Sequence, residues 1–474
     1  MQDLREFIKR LGEVGELRLI EGADWDLEIG AVTYLAAKAS DNPSLLFDKI
    51  KGYPPGYRVL ASPYSTDKRI ALTLGLPIEA QKVDLVRNVR DKLREPFRPI
   101  PPVEVKNGPI MENVLSGNLV DLFKFPTPRW QSLDGGRYLG TGNAIIVRDP
   151  DEGWVNISTQ RLQIQDKSTA TIFVEPGKHL DMIRRKYWAR AQSCPVAVTC
   201  GQHPIFVCAG GLRIPWGMSE YNWLGWWMNE PVEVVKGPRT GLPIPAHAEI
   251  ALEGKLIPIE EGSKSEGPFS EWTGHYSPTR AEPIFEVETV LHRDGPIILG
   301  VLPFVGRGRT NSISPVMKAA QVWNILDPLV PGIKGVWVFF EMGGTNNVVI
   351  SLEQKYGGHA KQAALAALAQ MSYMTKFVVV VDDDVDPSNL HQVLWAVGLR
   401  SEPEEWEIIK GMWSSPLEPS ISPSKRAAGD ITHSTAMILA CKPFGWIKEY
   451  PPAIIEDREL EQKVKEKWGA VVLQ

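Results

Sequence analysis

Two glutamates and an arginine form the sharpest chemical constellation in this sequence. Glu266 and Glu271 flank a Gly-Pro-Phe-Ser tetrapeptide, and glycine beside proline favours a tight bend that can turn both carboxylates toward one cavity. If Arg161 lies beside them, it keeps one carboxylate ionised, while burial and like-charge repulsion keep the other protonated. The set then supplies a general acid next to its electrostatic partner. The competing interpretation is a turn with two solvated glutamates.

A second group of polar residues has the donor types of a divalent-metal site. Asn156, His179 and Glu220 offer oxygen, nitrogen and oxygen donors. This combination suits Mn²⁺ or Mg²⁺ better than a thiol-rich zinc site would. Their spacing along the chain is not specific, so three unrelated structural roles remain the alternative.

The motifs of several other function classes are absent from the sequence. It contains no Walker loop, no GxGxxG between a strand and a helix, no GxSxG elbow and no HExxH. The nearest Gly-rich piece, residues 305–309, carries two arginines that suit either an anion or a surface turn. The sequence therefore gives little support to the hypothesis of a metal-dependent hydrolase.

Composition narrows the class of protein further. The chain has 474 residues, 43% of them hydrophobic, which is enough for several domains with real cores. A net charge of −5 lacks the basic footprint of a nucleic-acid binder, and no apolar run is long enough for a membrane span or a signal peptide. Four cysteines without CxxC spacing predict buried thiols in a reduced, cytoplasmic protein.

The elements that must position these residues fall into three parts. Leu4, Phe7, Ile8 and Leu11 recur at helical spacing and predict an opening helix, which begins a small α/β domain that ends at a proline-rich linker near residue 105. Short runs punctuated by Gly and Pro then predict a barrel-like or sandwich β-domain. Its predicted strands are 143–147, 169–174, 197–199, 205–208, 232–235 and 248–252.

The last part returns to an α/β pattern. A helix near 315–326 leads into a hairpin around residues 343–347, an alanine-rich helix at 360–370 and a strand at 377–381. A further helix is predicted to bury Leu390, Val393, Leu394 and Val397 on one face.

These residues, taken together, resemble the UbiD family of decarboxylases, which use prenylated FMN. The resemblance covers nearly the whole chain, with its motifs in the family's order. They are N-x-S-x-x-R at 156–161, a downstream His at 179, P-x-G-x-S-E at 215–220, L-E-G at 252–254, E-G-P-F-[GS]-E at 266–271, YGGHAK at 356–361, TKFVVVVDDDVDP at 375–387 and QVLWAVGLR at 392–400.

The resemblance implies a multi-domain α/β fold. An N-terminal α/β domain is expected over residues 1–105. A central split β-barrel that binds flavin and metal is expected over 106–313. A C-terminal α/β domain used in oligomerisation, with a helical tail, is expected over 314–474.

The resemblance also assigns roles to positions of this sequence. Arg161, Glu266 and Glu271 would form a catalytic Glu-Arg-Glu network, with Glu271 as proton donor. Asn156, His179 and Glu220 would bind Mn²⁺ (or Mg²⁺), which bridges to the cofactor phosphate. A monovalent cation, K⁺ or Na⁺, would take Glu220 and backbone oxygens near Ala209, Gly210 and Leu212. The residues expected to line the flavin are Asn156, Ile157, Ser158, Thr159, Gln160, Arg161, Lys178, His179 and Glu220.

The implied activity explains these residue types. Loss of CO₂ from an sp² carbon leaves a carbanion that no natural side chain delocalises, so an organic electron sink is needed. An arginine orients the substrate carboxylate well, and a carboxylic acid within reach delivers the proton. The resemblance thus predicts a reversible, non-oxidative decarboxylase of an aromatic, heteroaromatic or α,β-unsaturated acid. Its other expected partners are CO₂, a flavin prenyltransferase as cofactor source, and further copies of the chain in a homodimer or homohexamer, with neither nucleic acid nor membrane.

Some positions depart from the family pattern or align loosely with it. A basic residue that is common near the flavin is replaced by Gln370, so that contact is left unassigned. Asn311 and His433 are candidates for the substrate pocket. The alternative function is a flavin- or phosphate-binding protein without lyase activity, against which the intact Arg161, Glu266 and Glu271 set argues, since binding alone needs no proton donor.

Overall fold

The structure is a computed structural model that describes residues 3–302, 311–342, 347–371, 373–452 and 458–472. The Gly-rich piece at 305–309 and most of the predicted hairpin loop at 343–347 lie outside the described residues. No helix in the described ranges is both long and apolar enough to span a bilayer. All four cysteines are buried and unbridged, as predicted.

The described residues form helices and strands in three successive parts. The first part contains α1 (Leu4–Glu13), β1 (Leu17–Glu21), α2 (Glu28–Ala36), β2 (Ser44–Asp48), β3 (Arg58–Ala61), α3 (Asp67–Leu74), α4 (Lys82–Arg94) and β4 (Val103–Glu104). The middle part contains β5 (Asn113–Ser116), β6 (Tyr138–Gly140), β7 (Asn143–Arg148), β8 (Val155–Ser158), β9 (Leu162–Ile164), β10 (Thr169–Ile172), α5 (His179–Trp188), β11 (Cys194–Cys200), α6 (Ile205–Gly211), α7 (Glu220–Met228), β12 (Glu233–Lys236), β13 (Pro243–Pro245), β14 (Ile250–Leu256), β15 (Ser263–Glu266), β16 (Arg280–His292) and β17 (Ile297–Gly300). The last part contains α8 (Ser314–Leu326), β18 (Ile333–Phe339), β19 (Asn347–Leu352), α9 (His359–Gln370), β20 (Phe377–Asp382), α10 (Leu390–Arg400), β21 (Glu407–Trp413), α11 (Pro423–Ala427), β22 (Thr432–Ala440) and α12 (Arg458–Val472).

The N-terminal sheet has the strand order β1-β2-β3-β17. Helix α1 forms as predicted, because Asp3 caps its first turn and Leu4, Phe7, Ile8 and Leu11 are all buried on one face. Strand β17 returns from far along the chain and pairs with β3 in parallel. The N-terminal sheet therefore depends on a strand that comes last in the middle part of the sequence.

The central sheet carries the candidate site. Its strands follow the path β6-β9-β10-β16-β14-β11-β7-β8, with β15 and β5 also pairing with the long strand β16. Neighbouring strands on this path are antiparallel. The described strands form an open path, not a closed barrel. The multi-domain α/β class is confirmed, while the three domain boundaries stay a prediction.

The predicted strand at 205–208 is wrong, because these residues belong to helix α6. Pro204 has helical dihedral angles, and the ring Nδ1 of His203 accepts the N–H of Ile205, so a helix starts here. A short run of buried apolar residues has no periodicity that separates a strand from a helix. Helix α6 packs against β8 and α7, which brings its C-terminal end to the site.

The C-terminal sheet has the order β18-β19-β20-β22-β21. Its predicted helices and the buried strand β20 are present at the expected places. Helix α10 buries Val393 and packs Leu390 and Val397 against the core as predicted, but Leu394 is exposed, and Ala396 and Arg400 are the other buried residues. Arg400 takes the inner face since its guanidinium pairs with Asp382 and Asp384.

Helix α12 ends the described chain with an apolar stripe toward solvent. Five of its hydrophobic residues are exposed at spacings that place them on one face. They are Leu460, Val464, Trp468, Val471 and Val472.

Candidate active site

One guanidinium group holds both glutamates of the predicted pair. Arg161 donates from Nε to Glu266 Oε1 at 2.7 Å and from Nη2 to Glu266 Oε2 at 2.6 Å, which is a two-point contact. Its Nη1 donates to Glu271 Oε1. The three side chains are nearly closed to solvent. The bend between the glutamates therefore turns both carboxylates to one place, and the alternative of two solvated glutamates is wrong.

Two strands of the central sheet and a short turn position these three residues. Arg161 immediately precedes β9, and Glu266 ends β15. Gly267 has a φ of 88°, a region that favours glycine, and its N–H donates to Gln163 Oε1 at 3.0 Å. Farther along the turn, the N–H of Ser270 donates to Asp134 Oδ1 at 2.9 Å. These backbone contacts hold the turn from both sides, so Glu271 is directed inward.

Aromatic residues and one further hydrogen bond complete the surroundings. The Tyr138 hydroxyl donates to Glu266 Oε1 at 3.1 Å. The guanidinium carbon of Arg161 lies 4.4 Å from the ring centre of Phe173 and 5.7 Å from that of Phe269, at distances where the cation is attracted to the rings. Glu266 is thereby tied to Arg161 and Tyr138, whereas Glu271 has the weaker, single-point hold.

Burial shifts the protonation equilibria of Glu271 and Tyr138. Burial raises the pKa of Glu271 above its ordinary value, and the charge of Arg161 opposes that shift only in part. Burial also raises the pKa of Tyr138, and the negative charge of the adjacent Glu266 carboxylate adds to this rise. The raised pKa favours the protonated form of the Glu271 carboxyl group.

The three residues predicted to bind a divalent ion face one cavity. Glu220 is the first residue of α7, and Asn156 lies in β8. Asn156 Nδ2 donates to Glu220 Oε1 at 2.9 Å, and the N–H of Ile157 donates to Glu220 Oε2 at 2.6 Å. Within the described part of the chain, Asn156 Oδ1 is buried without a hydrogen-bond partner. Burial raises the pKa of Glu220 to about 7, because the contacts at its oxygens come from neutral groups.

His179 joins this set from the start of helix α5. Its ring packs edge-on against the indoles of Trp154 and Trp216, with ring centres 5.6 and 5.3 Å away. Burial, with help from the neighbouring charge of Lys178, lowers the pKa of His179. A neutral imidazole is the form that binds a metal. Across the described ranges there is no cluster of three or more His, Cys, Asp and Glu side chains that could hold a metal, and the predicted set has an asparagine as its third member.

A cavity of about 510 Å³ contains most of the residues expected to line the flavin. These are Asn156, Ile157, Ser158, Thr159, Gln160, Lys178, His179 and Glu220. Of the backbone positions expected to hold a monovalent cation, Gly210 and Leu212 line the cavity, whereas Ala209 is buried behind them in α6. A Cβ at Gly210 would lie 3.1 Å from the backbone of Ser158 and Thr159, so α6 and β8 approach closely here.

A second cavity of about 390 Å³ adjoins the first. Arg161 and Glu271 line it, and so does Asn311. Asn311 Oδ1 accepts the N–H of Tyr64 at 3.0 Å, while its Nδ2 is buried with no partner among the described residues. His433, the other candidate for the substrate pocket, is a buried residue of β22 that is not among the residues lining either cavity.

Six residues line both cavities; Thr159 and Gln160 were expected from the sequence, whereas the other four had no signal in it. Thr159, Gln160, Glu175, Ser314, Lys318 and Tyr373 are shared between the two cavities. The Tyr373 hydroxyl donates to Glu175 Oε1 at 2.6 Å, which joins the C-terminal part to the central part at this boundary. Gln370 lines the larger cavity, close to the basic residues Arg213 and Lys318 that line the same space.

The L-E-G motif at 252–254 has a supporting role instead. Glu253 Oε1 accepts the N–H of Thr240 at 2.9 Å, which fixes the turn between β12 and β13. A Cβ at Gly254 would lie 1.8 Å from the carbonyl oxygen of Glu286, so only glycine fits where β14 crosses β16 at a register shift. Neither residue lines a cavity described above.

Three family models match successive parts of the chain. The 3-octaprenyl-4-hydroxybenzoate carboxy-lyase N-terminal domain (UbiD_N) matches residues 8–89. The Rift-related domain of the same enzyme (UbiD) matches residues 102–307. Its C-terminal domain (UbiD_C) matches residues 312–441.

Named relatives match over most of their length. A pyrrole-2-carboxylic acid decarboxylase from Pseudomonas aeruginosa is 32% identical over 419 residues, covering 85% of this chain and 83% of the relative. A phenolic acid decarboxylase from Sedimentibacter hydroxybenzoicus is 30% identical over 441 residues, covering 89% of each chain.

Solved structures of one further relative superpose on nearly the whole chain. The UbiD-class enzyme HmfF from Pelotomaculum thermopropionicum, in complex with FMN, has a TM-score of 0.86 at 27% identity, covering 98% of this chain and 100% of that one. An evolved dimeric form of HmfF in complex with prFMN has a TM-score of 0.81 at 26% identity, covering 96% and 98%.

Proposed function

The chain belongs to the UbiD family of carboxy-lyases, and we propose that it is a reversible, non-oxidative decarboxylase of an aromatic, heteroaromatic or α,β-unsaturated carboxylic acid. The observation that carries the proposal is the contact of Arg161 with both Glu266 and Glu271 at the wall of the 390 Å³ cavity. A protein that only bound a flavin would need no buried proton donor there. The two decarboxylase relatives, one named for a heteroaromatic acid and one for phenolic acids, support this class of substrate.

In the proposed reaction Arg161 binds the substrate carboxylate. Its Nε and Nη2 stay with Glu266, and Nη1 is released when Glu271 takes up a proton and loses its charge. The freed N–H then donates to the incoming carboxylate. Glu266 is thus a positioning residue, because it keeps the guanidinium in place while Glu271 changes its protonation.

Glu271 then delivers its proton to the carbon that has lost CO₂. The carboxyl O–H bond breaks, a C–H bond forms, and the resulting carboxylate pairs again with Arg161 until solvent reprotonates it. In the carboxylation direction the Glu271 carboxylate removes the same proton. Its pKa, raised by burial, favours the protonated form that the decarboxylation step needs.

The proposed cofactor is prenylated FMN, which supplies the electron sink for the carbanion when bound. The residues of the larger cavity fit it. The buried Asn156 Oδ1 that no described group satisfies, the buried Glu220 carboxylate and the neutral His179 together suit Mn²⁺ or Mg²⁺. Such an ion would bridge to the cofactor phosphate, which a divalent cation neutralises more fully than Lys178 could alone.

We assign a monovalent cation, K⁺ or Na⁺, to the end of α6 near Glu220. The last carbonyl groups of a helix carry partial negative charge, and Gly210 and Leu212 bring this end of α6 to the cavity. Ala209 would contribute only its backbone oxygen, since its side chain is packed into the core.

For the substrate pocket the proposal keeps Asn311. Its Nδ2, which has no described partner, is a donor for a polar atom of the substrate ring or its substituent. Phe173, Phe269 and Trp272 line the same cavity and suit a flat apolar ring.

The proposed partners follow from the same family. A flavin prenyltransferase supplies the cofactor, CO₂ is the second product, and no nucleic acid or membrane takes part. The apolar stripe of α12 supports a homodimer or homohexamer, since a monomer would leave it in water. The four buried thiols support a cytoplasmic location.

The test is to co-express the protein with a flavin prenyltransferase, purify it and record its visible spectrum. The loaded protein is then assayed for CO₂ release from a panel of aryl, heteroaryl and unsaturated acids, and for the reverse reaction in bicarbonate. A yellow to pinkish protein that releases CO₂ supports the proposal. A loaded protein without activity on any acid would favour the alternative, a flavin-binding protein without lyase activity.

A further inference from the structure

One face of helix α8 forms a wall of the larger cavity. Ser314, Met317, Lys318 and Gln321 all line this cavity, and their spacing of three, four and seven residues places them on one side of the helix. Ser314 and Lys318 also line the smaller cavity. Lys318 therefore lies in the middle of this wall, where the two cavities meet.

The charges around Lys318 favour an anionic ligand. Burial lowers the pKa of Lys318 to about 8, and the positive charges of Arg213 and Lys178 add to this effect. The acidic residue at the same boundary, Glu175, accepts the Tyr373 hydroxyl at 2.6 Å and pairs with Lys178 at 3.5 Å. Three basic side chains, those of Lys178, Arg213 and Lys318, thus line the larger cavity, where they outnumber the two carboxylates of Glu175 and Glu220.

We propose that Lys318 contacts the ring system of the bound flavin and stabilises negative charge on its pyrimidine half. This inference rests on the proposed function, which puts the flavin phosphate near Asn156, His179 and Glu220. The carbon-bond chemistry would then take place near Arg161, in the adjoining cavity. A residue that lines both cavities lies between those two ends, and the ring system is the part of a flavin that spans them.

A cation beside the pyrimidine half changes the electronic properties of a flavin. The anionic reduced form carries charge at N1 and the C2 carbonyl, so a nearby ammonium stabilises that form over the oxidised one. Lys178 serves as the matched control. It lines only the larger cavity, next to His179, and should act on the phosphate instead.

The test uses purified protein reconstituted with FMN or, in parallel, with riboflavin, which lacks the phosphate. Lys318→Met, Lys318→Arg and Lys178→Met are compared with the parent protein, without substrate. Affinities are measured by quenching of flavin fluorescence. The reduction midpoint of bound FMN is measured by titration with dithionite against a reference dye.

For Lys318→Met we expect the equilibrium constant for two-electron reduction of bound FMN to fall at least tenfold, about 30 mV in midpoint. FMN and riboflavin affinities should fall by similar factors, and Lys318→Arg should stay close to the parent. For Lys178→Met we expect FMN affinity to fall at least tenfold, with riboflavin affinity and midpoint unchanged. If Lys318→Met does not fold, Lys318→Gln is measured in the same way.

Two results would overturn the inference, and they are distinguishable. An unchanged midpoint with a loss of affinity for FMN but not riboflavin would place Lys318 at the phosphate. A parent protein that binds neither flavin would instead remove the proposed function on which the inference rests.

Discussion

Arg161 and Glu266 face each other through two parallel hydrogen bonds of 2.7 and 2.6 Å, with both side chains almost completely buried. A planar guanidinium paired in this way has a fixed orientation, because rotation would break both bonds at once. The third donor, Nη1, is consequently held toward Glu271 and toward the smaller cavity. The pair of Arg161 and Glu266 is therefore fixed, and the contact between Arg161 Nη1 and Glu271 is the one that can exchange.

Glu271→Gln should keep the fold and the bound flavin but lower the rate of decarboxylation by roughly 10²- to 10⁴-fold. The amide is nearly isosteric with the carboxyl group and can still contact Arg161, but it has no proton to give. Exchange of the product C–H hydrogen with solvent deuterium should fall equally, since it uses the same group. Both rates are measured on flavin-loaded protein.

Glu260→Gln is the matched control, because Glu260 is an exposed glutamate in the turn before β15. It should exchange and decarboxylate at the parent rate. Near-parental exchange in Glu271→Gln would exclude Glu271 as the donor. The search would then begin with residues lining the smaller cavity, among which His433 does not appear.

Glu266→Gln should destabilise the protein and weaken substrate binding. Removing the two-point partner of a buried ion pair leaves Arg161 with only Glu271, whose pKa is raised by burial, and this lowers the free energy of unfolding by about 3 kcal/mol. Tyr138→Phe removes only one hydrogen bond to the same carboxylate and should lower it by about 1 kcal/mol. Calorimetric melting and the KM for substrate are the measurements, and equal effects of the two changes would contradict the positioning role of Glu266.

The pH dependence of decarboxylation should have its alkaline limb above the pKa range of an ordinary glutamate. Burial raises the pKa of Glu271, so the acid form persists to higher pH and activity falls as pH rises through that raised value. The negative charge of Glu266 contributes to the rise. Glu266→Gln should therefore move the limb of kcat/KM to lower pH, and a move to higher pH would reverse the assigned electrostatics.

His179→Ala and Glu220→Ala should each yield protein with little bound flavin and little bound manganese. The reason is that the proposed metal neutralises the phosphate and thereby supports binding, rather than breaking a bond. Flavin absorbance per protein and metal analysis by mass spectrometry measure the two losses. His391→Ala, on the exposed side of α10, is the control that should stay loaded. A fully coloured His179→Ala protein would contradict this role.

Val464→Glu should lower the oligomeric state of the protein. Val464 lies in the exposed apolar stripe of α12, and a carboxylate there would be buried without a partner in an assembly. Gln462→Glu adds the same charge at an exposed polar position of that helix and should leave the assembly intact. The mass is measured by light scattering after size exclusion. Equal masses for the parent protein and both variants would show that the stripe is not needed for oligomerisation.

Residue types and short motifs predicted well that Arg161, Glu266 and Glu271 come together. Glu266 and Glu271 are close in sequence on either side of a bend, so their convergence is a local property of the chain. Contact of either glutamate with Arg161 depends on the pairing of β9 and β15 with their neighbouring strands. This pairing could not be predicted from the sequence pattern, and the contact was expected from the family resemblance. Asn156 and Glu220 likewise meet because α7 packs against β8, with α6 in contact with both.

Features set by tertiary packing were missed or wrong. Residues 205–208 are apolar and buried in either a strand or a helix, so their pattern could not decide between the two. On α10, Arg400 is buried because Asp382 and Asp384 neutralise its charge, whereas Leu394 is exposed. Lys318 lies in a helix whose mostly apolar sequence predicts a core element. No sequence pattern indicates that a single lysine in such a helix lines a cavity.

The pairing of β17 with β3 delays completion of the N-terminal sheet during synthesis on the ribosome. Strand β3 ends at Ala61 and β17 begins at Ile297, so translation at roughly 5–20 residues per second separates them by roughly ten to fifty seconds. Throughout that interval the edge of β3 has no β17 to satisfy its backbone hydrogen bonds, and such an edge is a template for pairing with other nascent chains. The N-terminal sheet therefore completes its strand pairing only after β17 has been synthesised, and until then the edge of β3 stays open to other chains.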